Sequence, residues 1–517
     1  MMQLLLPLSC LFGALDAANI LVFSCVPSIS HQFVFRSIVK ELSLRGHSVT
    51  FVTTDPMNDP TLTNLTEVDT SVSYEIYKKT DASVFNREST NLIKMGFLAL
   101  QFLYDVISMQ LEVQGVKDIL KKPPKSFDLI IAEAGNAFYE SLQHKFKAPL
   151  ISVSSFGVPR YLHELLGNSG HPMLYTDVLS THVVPISNIW EKLDSLYAYL
   201  VNYMLCQFYM FPTFDKLARS HFGEDMPYIK DLIKETSLVV ANINPIFSNN
   251  RPSVPNVIEV WNIHLNRSEP LREDVQKILD DAKGGAVYFS LGTNVRFDHV
   301  QGNIKQAILE ALGELPYTVL CKWESEDFPG KPKNVILRKW LPQQAILAHP
   351  NVKLFVTQGG LQSSEEAITN AVPLVIIPFL GDQPMNAKIL TKHGMAETIS
   401  PKLLEKNILR DTILKVIGDE KYRSRAKELR SIFLDQPTSG LDKIIWWCEY
   451  VIRHKGAKHL KSPSADIPVY EYFMLDVFAV IFTALFVIYK IVSLAVRSLV
   501  GVLRGRKNKK QIKKKTN

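Results

Sequence analysis

Two kinds of apolar pattern alternate along this chain. Uninterrupted runs at residues 19–25 (NILVFSC) and 48–53 (SVTFVT) have the length and β-branched content of buried strands, and between them residues 32–44 repeat apolar positions three and four apart. Arg45-Gly46-His47 stops that helix. Strand, helix, strand at this spacing predicts a βαβ unit. The runs at 127–132 (FDLIIA) and 149–152 repeat the strand pattern, so the first half reads as a parallel-sheet α/β domain. Pro245, Pro252, Pro255 and Pro270 punctuate residues 244–271, which lack periodicity and read as the entry to a linker. The pattern then restarts, with strands predicted at 285–291, 317–322, 352–357 and 373–379 and helices at 301–312 and 363–370. Two α/β domains of similar size imply a cleft, with ligands at the carboxyl ends of the strands.

Three longer apolar stretches need separate treatment. Residues 91–113 and 190–211 carry Lys94, Asp105 and Glu112, and Glu191, Lys192 and Asp194, which marks them as amphipathic helices. They read first as core helices, and alternatively as the wall of an apolar acceptor pocket or a surface resting on a membrane. Residues 472–496 hold only Asp476 and Lys490 as charges and are long enough to span a bilayer. Charge sharpens this. The chain has 517 residues and a formal charge of +7, but nine Lys/Arg and no acid lie in 497–517, which leaves residues 1–496 at −2. A near-neutral body with one basic tail excludes a broad nucleic-acid-binding face. Residues 1–17 read as a signal peptide. Signal, body, single span and basic tail predict a type I membrane protein with a lumenal body. The sequons at Asn64 and Asn266 are its candidate glycosylation sites. Cys25, Cys206, Cys321 and Cys448 are scattered, with neither disulfide-scaffold nor metal spacing.

The densest chemistry lies in 340–387, WLPQQAILAHPNVKLFVTQGGLQSSEEAITNAVPLVIIPFLGDQPMNA. Trp340 offers a flat face and Gln343 an amide that suits a uracil edge. A strand runs into Gln358-Gly359-Gly360 before a helix, where glycines admit close backbone approach and the helix start suits a diphosphate. This block resembles the signature of the UDP-glycosyltransferases, and the likeness covers essentially the whole chain: FSLGTNV, the Trp446-Trp447 to Tyr450 segment, GAKHL and the basic tail fit the membrane-bound animal branch.

The resemblance implies the GT-B architecture: two Rossmann-like domains facing a cleft plus one C-terminal transmembrane helix. Residues 18–270 would form the acceptor domain, 271–284 a linker, 285–460 the UDP-sugar domain, 472–496 the span and 497–517 a cytosolic tail. It assigns Trp340 and Gln343 to the base, Glu366 to the ribose hydroxyls, and Gln358, Gly359, Gly360, Gln362 and Ser363 to the diphosphate. Ser290 and Thr293 would flank the diphosphate, and Asp382 and Gln383 would bind the donor sugar. Glu365 is left to the solvated helix face.

His31 follows a strand end at a predicted helix start, where an imidazole is a candidate general base. By resemblance His31 deprotonates the acceptor hydroxyl and Glu133 is its partner carboxylate. Gln358 stands where most members have His, Glu133 where most have Asp, and Trp261-Asn262 where Gly-Gly is common. No Asp-x-Asp, HExxH or P-loop lysine appears, so no metal site and no cofactor is expected, with the UDP-sugar as co-substrate.

The resulting expectation is an inverting transferase that moves a hexosyl group, glucose in preference to glucuronic acid, to hydroxyls of small lipophilic acceptors. Lys513 to Lys515 match a dilysine retrieval signal and place it in the endoplasmic reticulum membrane. A homo-oligomer is left open. The alternative from another class is a non-catalytic, membrane-anchored sugar-nucleotide-binding partner subunit of the same fold.

Overall fold

The computed structural model describes residues 17–80, 91–175, 186–248, 250–265, 270–293, 302–323 and 330–515. The expected signal segment up to residue 16 and the sequon asparagine Asn266 lie outside these. The chain divides into a unit ending at Ser462 and a second beginning at Pro463.

The first unit contains two all-parallel sheets. Strands β1 (Asn19–Phe23), β2 (Ser48–Thr53), β3 (Leu65–Asp69), β4 (Leu129–Glu133), β5 (Leu150–Ser154), β6 (Leu238–Asn242) and β7 (Val257–Val260) form the first, in the order β3-β2-β1-β4-β5-β6-β7. Strands β8 (Ala286–Ser290), β9 (Thr318–Lys322), β10 (Val335–Arg338), β11 (Val352–Thr357), β12 (Leu374–Ile376) and β13 (Ala396–Thr398) form the second, in the order β10-β9-β8-β11-β12-β13. Strands such as β4, β5, β6 and β8 are buried at every residue, as sheets covered on both faces require. In each sheet the winding direction reverses once, between β1 and β4 and between β8 and β11. Ligands bind at such switch points in open α/β sheets.

Two expectations about the segment between the sheets change. Val257–Val260 is not linker: it pairs in parallel with β6 and closes the first sheet. Within 271–284, expected as a linker, Glu273–Asp281 is a helix whose Val275 and Leu279 are buried in the core of the second sheet. The crossing therefore falls between Val260 and Glu273. At its start Asn262 has φ 62°, the left-handed conformation that glycine takes most readily and asparagine tolerates. Its neighbour Trp261 donates its Nε1–H to the Phe433 carbonyl at 2.9 Å. A Cβ on Gly440 would lie 1.9 Å from the Trp261 carbonyl oxygen, so only glycine lets the last large helix of the first unit, Gly440–His454, start there. That helix packs Ile444, Ile445, Cys448 and Val451 into the first domain's core. The polypeptide thus crosses between domains twice.

The helix Leu92–Leu111 buries Met95, Val106, Ile107 and Leu111. The helix Ile189–Leu205 does not behave as a core helix. Ser195 is its buried residue, whereas Trp190 is 74% exposed and Leu193, Leu196, Leu200 and Met204 are exposed. The two helices meet at Gly96, where a Cβ would lie 2.5 Å from Leu205 Cδ1. The four cysteines named above are buried free thiols. The sequon residue Asn64 is half-buried, and the Nδ2 that would carry a glycan donates to the carbonyls of Ser43 (2.8 Å) and His47 (2.7 Å). That nitrogen is committed to holding β3 against the turn before β2.

The second unit is dominated by the helix Leu475–Lys515, whose Leu475–Arg506 portion is long and apolar enough to cross a membrane.

Candidate active site

One cavity of about 1120 Å³ is lined by residues from both switch points. On the first sheet, β1 ends at Phe23 and its neighbour β4 ends at Glu133, with Phe23 opposite Ala132 in register. The loop after β1 leads into the helix Ile29–Leu44, which places His31 in its first turn. His31 Nδ1 lies 2.6 Å from Glu133 Oε1, so the extra methylene of glutamate over aspartate does not open the contact. The other oxygen, Oε2, accepts the backbone N–H groups of Cys25 and Val26, both at 3.0 Å. Glu133 is buried and joins the loop after β1 to the imidazole. Ser155 Oγ also lies 2.9 Å from His31 Nδ1. With Nδ1–H directed to the carboxylate, Nε2 carries the lone pair, which is the tautomer a base needs. Burial, with Glu133 adjacent, pushes the Cys25 thiol well up and keeps it unreactive.

The second switch point supplies the opposite wall. After β8, Ser290 Oγ accepts the Gly292 N–H at 3.3 Å, and Thr293 follows on the cavity lining. Gly292 has φ 74°, and a Cβ there would lie 2.2 Å from Gln358 Nε2, so the buried Gln358 packs against bare backbone. After β11, Gly359 has φ 85° and a Cβ would meet Ile376 Cγ2 at 2.6 Å. Gly360 then caps the helix Leu361–Thr369.

Several side chains take partners that sequence alone does not give. Gln362, expected at the diphosphate, donates its Nε2–H across the cleft to the Ser30 carbonyl at 2.6 Å, beside His31. Gln343, expected at the uracil edge, turns its Nε2 to Ser363 Oγ (3.0 Å) and Glu366 Oε2 (2.7 Å). Gln344 donates to Glu366 Oε1 at 3.3 Å. Gln383 accepts the N–H groups of Phe379 and Leu380 through Oε1, which leaves its NH₂ as the donor end. Asp382 accepts from Asn386 at 2.7 Å, and the same Asn386 nitrogen reaches the Gly359 carbonyl at 3.0 Å. Desolvation in the cleft raises the Asp382 carboxyl, against the pull of the Asn386 hydrogen bond and of His31. Trp340 is 56% exposed, with Lys322 Nζ 5.0 Å from its ring centroid.

Gln344, Asn386 and Lys322 escaped the sequence reading. The first two sit inside the signature block; Asn386 could have been found from its four-residue spacing to Asp382, whereas Gln344 lies on a different helix from Glu366. Lys322 lies outside it and carried no signal. The clearest correction is Glu365: it is fully buried against His264, not solvated.

Two doubly wound parallel domains with their switch points on one cavity form the GT-B architecture. The chain belongs to the UDP-glucoronosyl and UDP-glucosyl transferase family, whose model matches residues 18–508. It is 34% identical to UDP-glucosyltransferase 2 of Dactylopius coccus, over 91% of this chain and 90% of that protein. It is 30% identical to the ecdysteroid UDP-glucosyltransferase of Spodoptera littoralis nuclear polyhedrosis virus, over 92% and 95%. Among solved structures, glycosyltransferase VinC in complex with dTDP aligns with a TM-score of 0.57 at 16% identity, over 84% of this chain and all of that one. That likeness concerns the fold.

Proposed function

We propose that this protein is an inverting UDP-hexosyltransferase that glycosylates hydroxyl groups of small lipophilic acceptors, with His31 as general base and Glu133 as its orienting carboxylate. The observation that carries the proposal is the 2.6 Å His31–Glu133 contact on the rim of the cavity whose far wall bears Trp340, Glu366 and Asp382. A binding subunit has no need for such a pair, which argues against the non-catalytic alternative.

In the proposed reaction, UDP-sugar binds with its base at Trp340 and its ribose at Glu366. Asp382 and Gln383 hold the sugar hydroxyls. His31 Nε2 removes the acceptor proton as the acceptor oxygen attacks the anomeric carbon from the face opposite UDP. The imidazolium so formed is stabilised by Glu133, and the charge developing on UDP is met by the helix start at Gly360 and the turn at Gly292. Displacement from the opposite face converts an α-linked donor into a β-glycoside.

The acceptor half of the cavity is lined by Ala99, Leu100, Leu103, Leu205, Cys206 and Met210, which favours an apolar acceptor body. The viral relative is named for an ecdysteroid acceptor, which has that character. For the donor we favour glucose. Lys322 is the one Lys or Arg lining the donor half among the described residues, and it is engaged with the Gly292 carbonyl at 2.6 Å and with Trp340 rather than at Asp382. The body would lie on the lumenal side of the endoplasmic reticulum membrane. UDP release with a panel of phenols and alcohols, run with UDP-glucose and UDP-glucuronate in competition, tests the proposal. Turnover of UDP-glucuronate alone refutes the donor choice, and no transfer from either refutes the activity.

A further inference from the structure

Beside the uridine end of the cavity lies a buried ionisable cluster that the reaction above leaves unused. His264 is on the crossing between β7 and the helix Glu273–Asp281, and it is 3% exposed. Its ring sits between two consecutive carboxylates of the helix Leu361–Thr369: Nδ1 is 3.5 Å from Glu365 Oε2 and Nε2 is 3.4 Å from Glu366 Oε1. Glu365 is wholly buried and Glu366 is 6% exposed. The two have different outlooks, since His264 and Glu366 line the cavity and Glu365 does not.

Two adjacent buried carboxylates repel, and an isolated buried charge is expensive. An imidazole wedged between them supplies the compensating proton. Around Glu366 the ligands are distributed: Oε1 faces His264 Nε2 and Gln344 Nε2, while Oε2 accepts from Gln343. A carboxylate has about four acceptor sites, so one site on Oε2 stays open for a ribose hydroxyl even in this grip, and the grip fixes where that site points. The charged and titratable groups around the ring are Glu365 and Glu366 from that helix and, beside Glu366, Tyr288 from β8.

We propose that His264 is a positioning residue for donor recognition: it clamps Glu366 in the ribose-binding orientation, and Glu365 holds the His264 ring from behind. The proposal rests on the reading of Glu366 as the ribose ligand. Electrostatics agree with it. Complete burial pulls the imidazole pKa down, but the Glu366 carboxylate 3.4 Å away and the charge of Glu365 outweigh this and hold it above its ordinary value. Burial pushes the Glu365 carboxyl up to about 7, so it can share the proton. The crossing segment thereby ties the donor site to the end of the acceptor domain's sheet.

The test is isothermal titration of the full-length protein in detergent with UDP and with its 2′,3′-dideoxy analogue, which lacks both ribose hydroxyls. Wild type should prefer UDP strongly, and Glu366→Gln should erase the preference. His264→Gln should weaken UDP roughly tenfold, the scale of one charge-assisted hydrogen bond, while leaving the analogue within about twofold. In turnover the donor KM should rise with kcat little changed. Glu365→Gln, which keeps an oxygen for the ring N–H, should retain most of the preference, whereas Glu365→Leu should resemble His264→Gln. This second pair carries the test if His264→Gln does not fold. A preference left intact in His264→Gln or Glu365→Leu overturns the inference, as does an equal loss for both ligands, which marks a merely structural role. Wild-type protein that binds UDP no better than the analogue overturns the ribose reading and this inference together.

Discussion

Replacing Glu133 by glutamine should cripple the base, although glutamine keeps an oxygen that could accept from His31. From sequence alone this substitution is expected to cost less than His31→Ala. The hydrogen bonds change that expectation. Oε2 accepts two backbone N–H groups at 3.0 Å, from Cys25 and Val26, and Oε1 faces His31 Nδ1 at 2.6 Å. An amide has one oxygen. Turned to the loop, it satisfies both backbone donors and points its NH₂ at Nδ1. Turned to His31, it sets NH₂ against two buried N–H donors, at about 1–3 kcal/mol for each one left unsatisfied. The first orientation therefore wins by a few kcal/mol. Nδ1 must then accept, the proton moves to Nε2, and the nitrogen facing the acceptor can no longer take a proton. Wrong-tautomer substitutions of this kind in a Ser-His-Asp triad cost about 10⁴ in turnover, so a loss of roughly 10³–10⁴, or about 4–5 kcal/mol, is expected. The assay is UDP release at saturating UDP-glucose with an aliphatic alcohol acceptor, alongside UDP binding, which should be unchanged. Turnover within tenfold of wild type, with the protein folded, would refute the reasoning.

His31→Ala should lower turnover with an alcohol by roughly 10²–10⁴, and a phenol already ionised at assay pH should recover part of that rate; equal losses for both acceptors would remove proton abstraction from the account. Asn64→Ala removes two donors to the Ser43 and His47 carbonyls and should cost about 1–3 kcal/mol in denaturant unfolding, whereas an unchanged midpoint would show those bonds to be dispensable. His163 is buried, and desolvation together with Arg251 lowers its pKa from 6.5 to about 3. Below pH 6.5 the unfolded chain binds the extra proton, so stability falls as pH drops, by about 2 kcal/mol from this residue at pH 5; a His163→Gln variant should show a flatter thermal-stability profile between pH 6.5 and 5. If the basic tail faces the cytosol, Lys514→Ser with Lys515→Ser should move part of the protein from the endoplasmic reticulum to the Golgi, and retention of all of it would contradict the retrieval signal.

Much of the fold was legible because buried parallel strands write uninterrupted apolar runs. Ser48–Thr53 and Val352–Thr357 coincide with their predicted limits for that reason. Short or half-exposed strands left no such trace: Leu65–Asp69 has no fully buried residue, and Val257–Val260 sits among prolines that suggested a linker. In the site, residue types and positions at the strand ends were readable, and so was the His31–Glu133 pair, whereas most other side-chain partners were not. Nothing in the order Gln362-Ser363-Ser364-Glu365-Glu366 says that Gln362 reaches Ser30 in the other domain or that Glu365 turns inward to His264. Those contacts depend on tertiary packing: Gln362 meets the start of the helix that carries His31, and Glu365 meets His264 on the crossing segment.

Direct displacement at the anomeric carbon by an acceptor oxygen deprotonated at His31 fixes the stereochemistry of the product. Proton NMR of the product formed from UDP-α-glucose and a phenol, with UDP release followed in the same sample, tests it most directly. One β-linked glucoside per UDP released, with the large anomeric coupling of a β-glucoside, is the predicted result. An α-linked product, or UDP release without a glycoside, would contradict it.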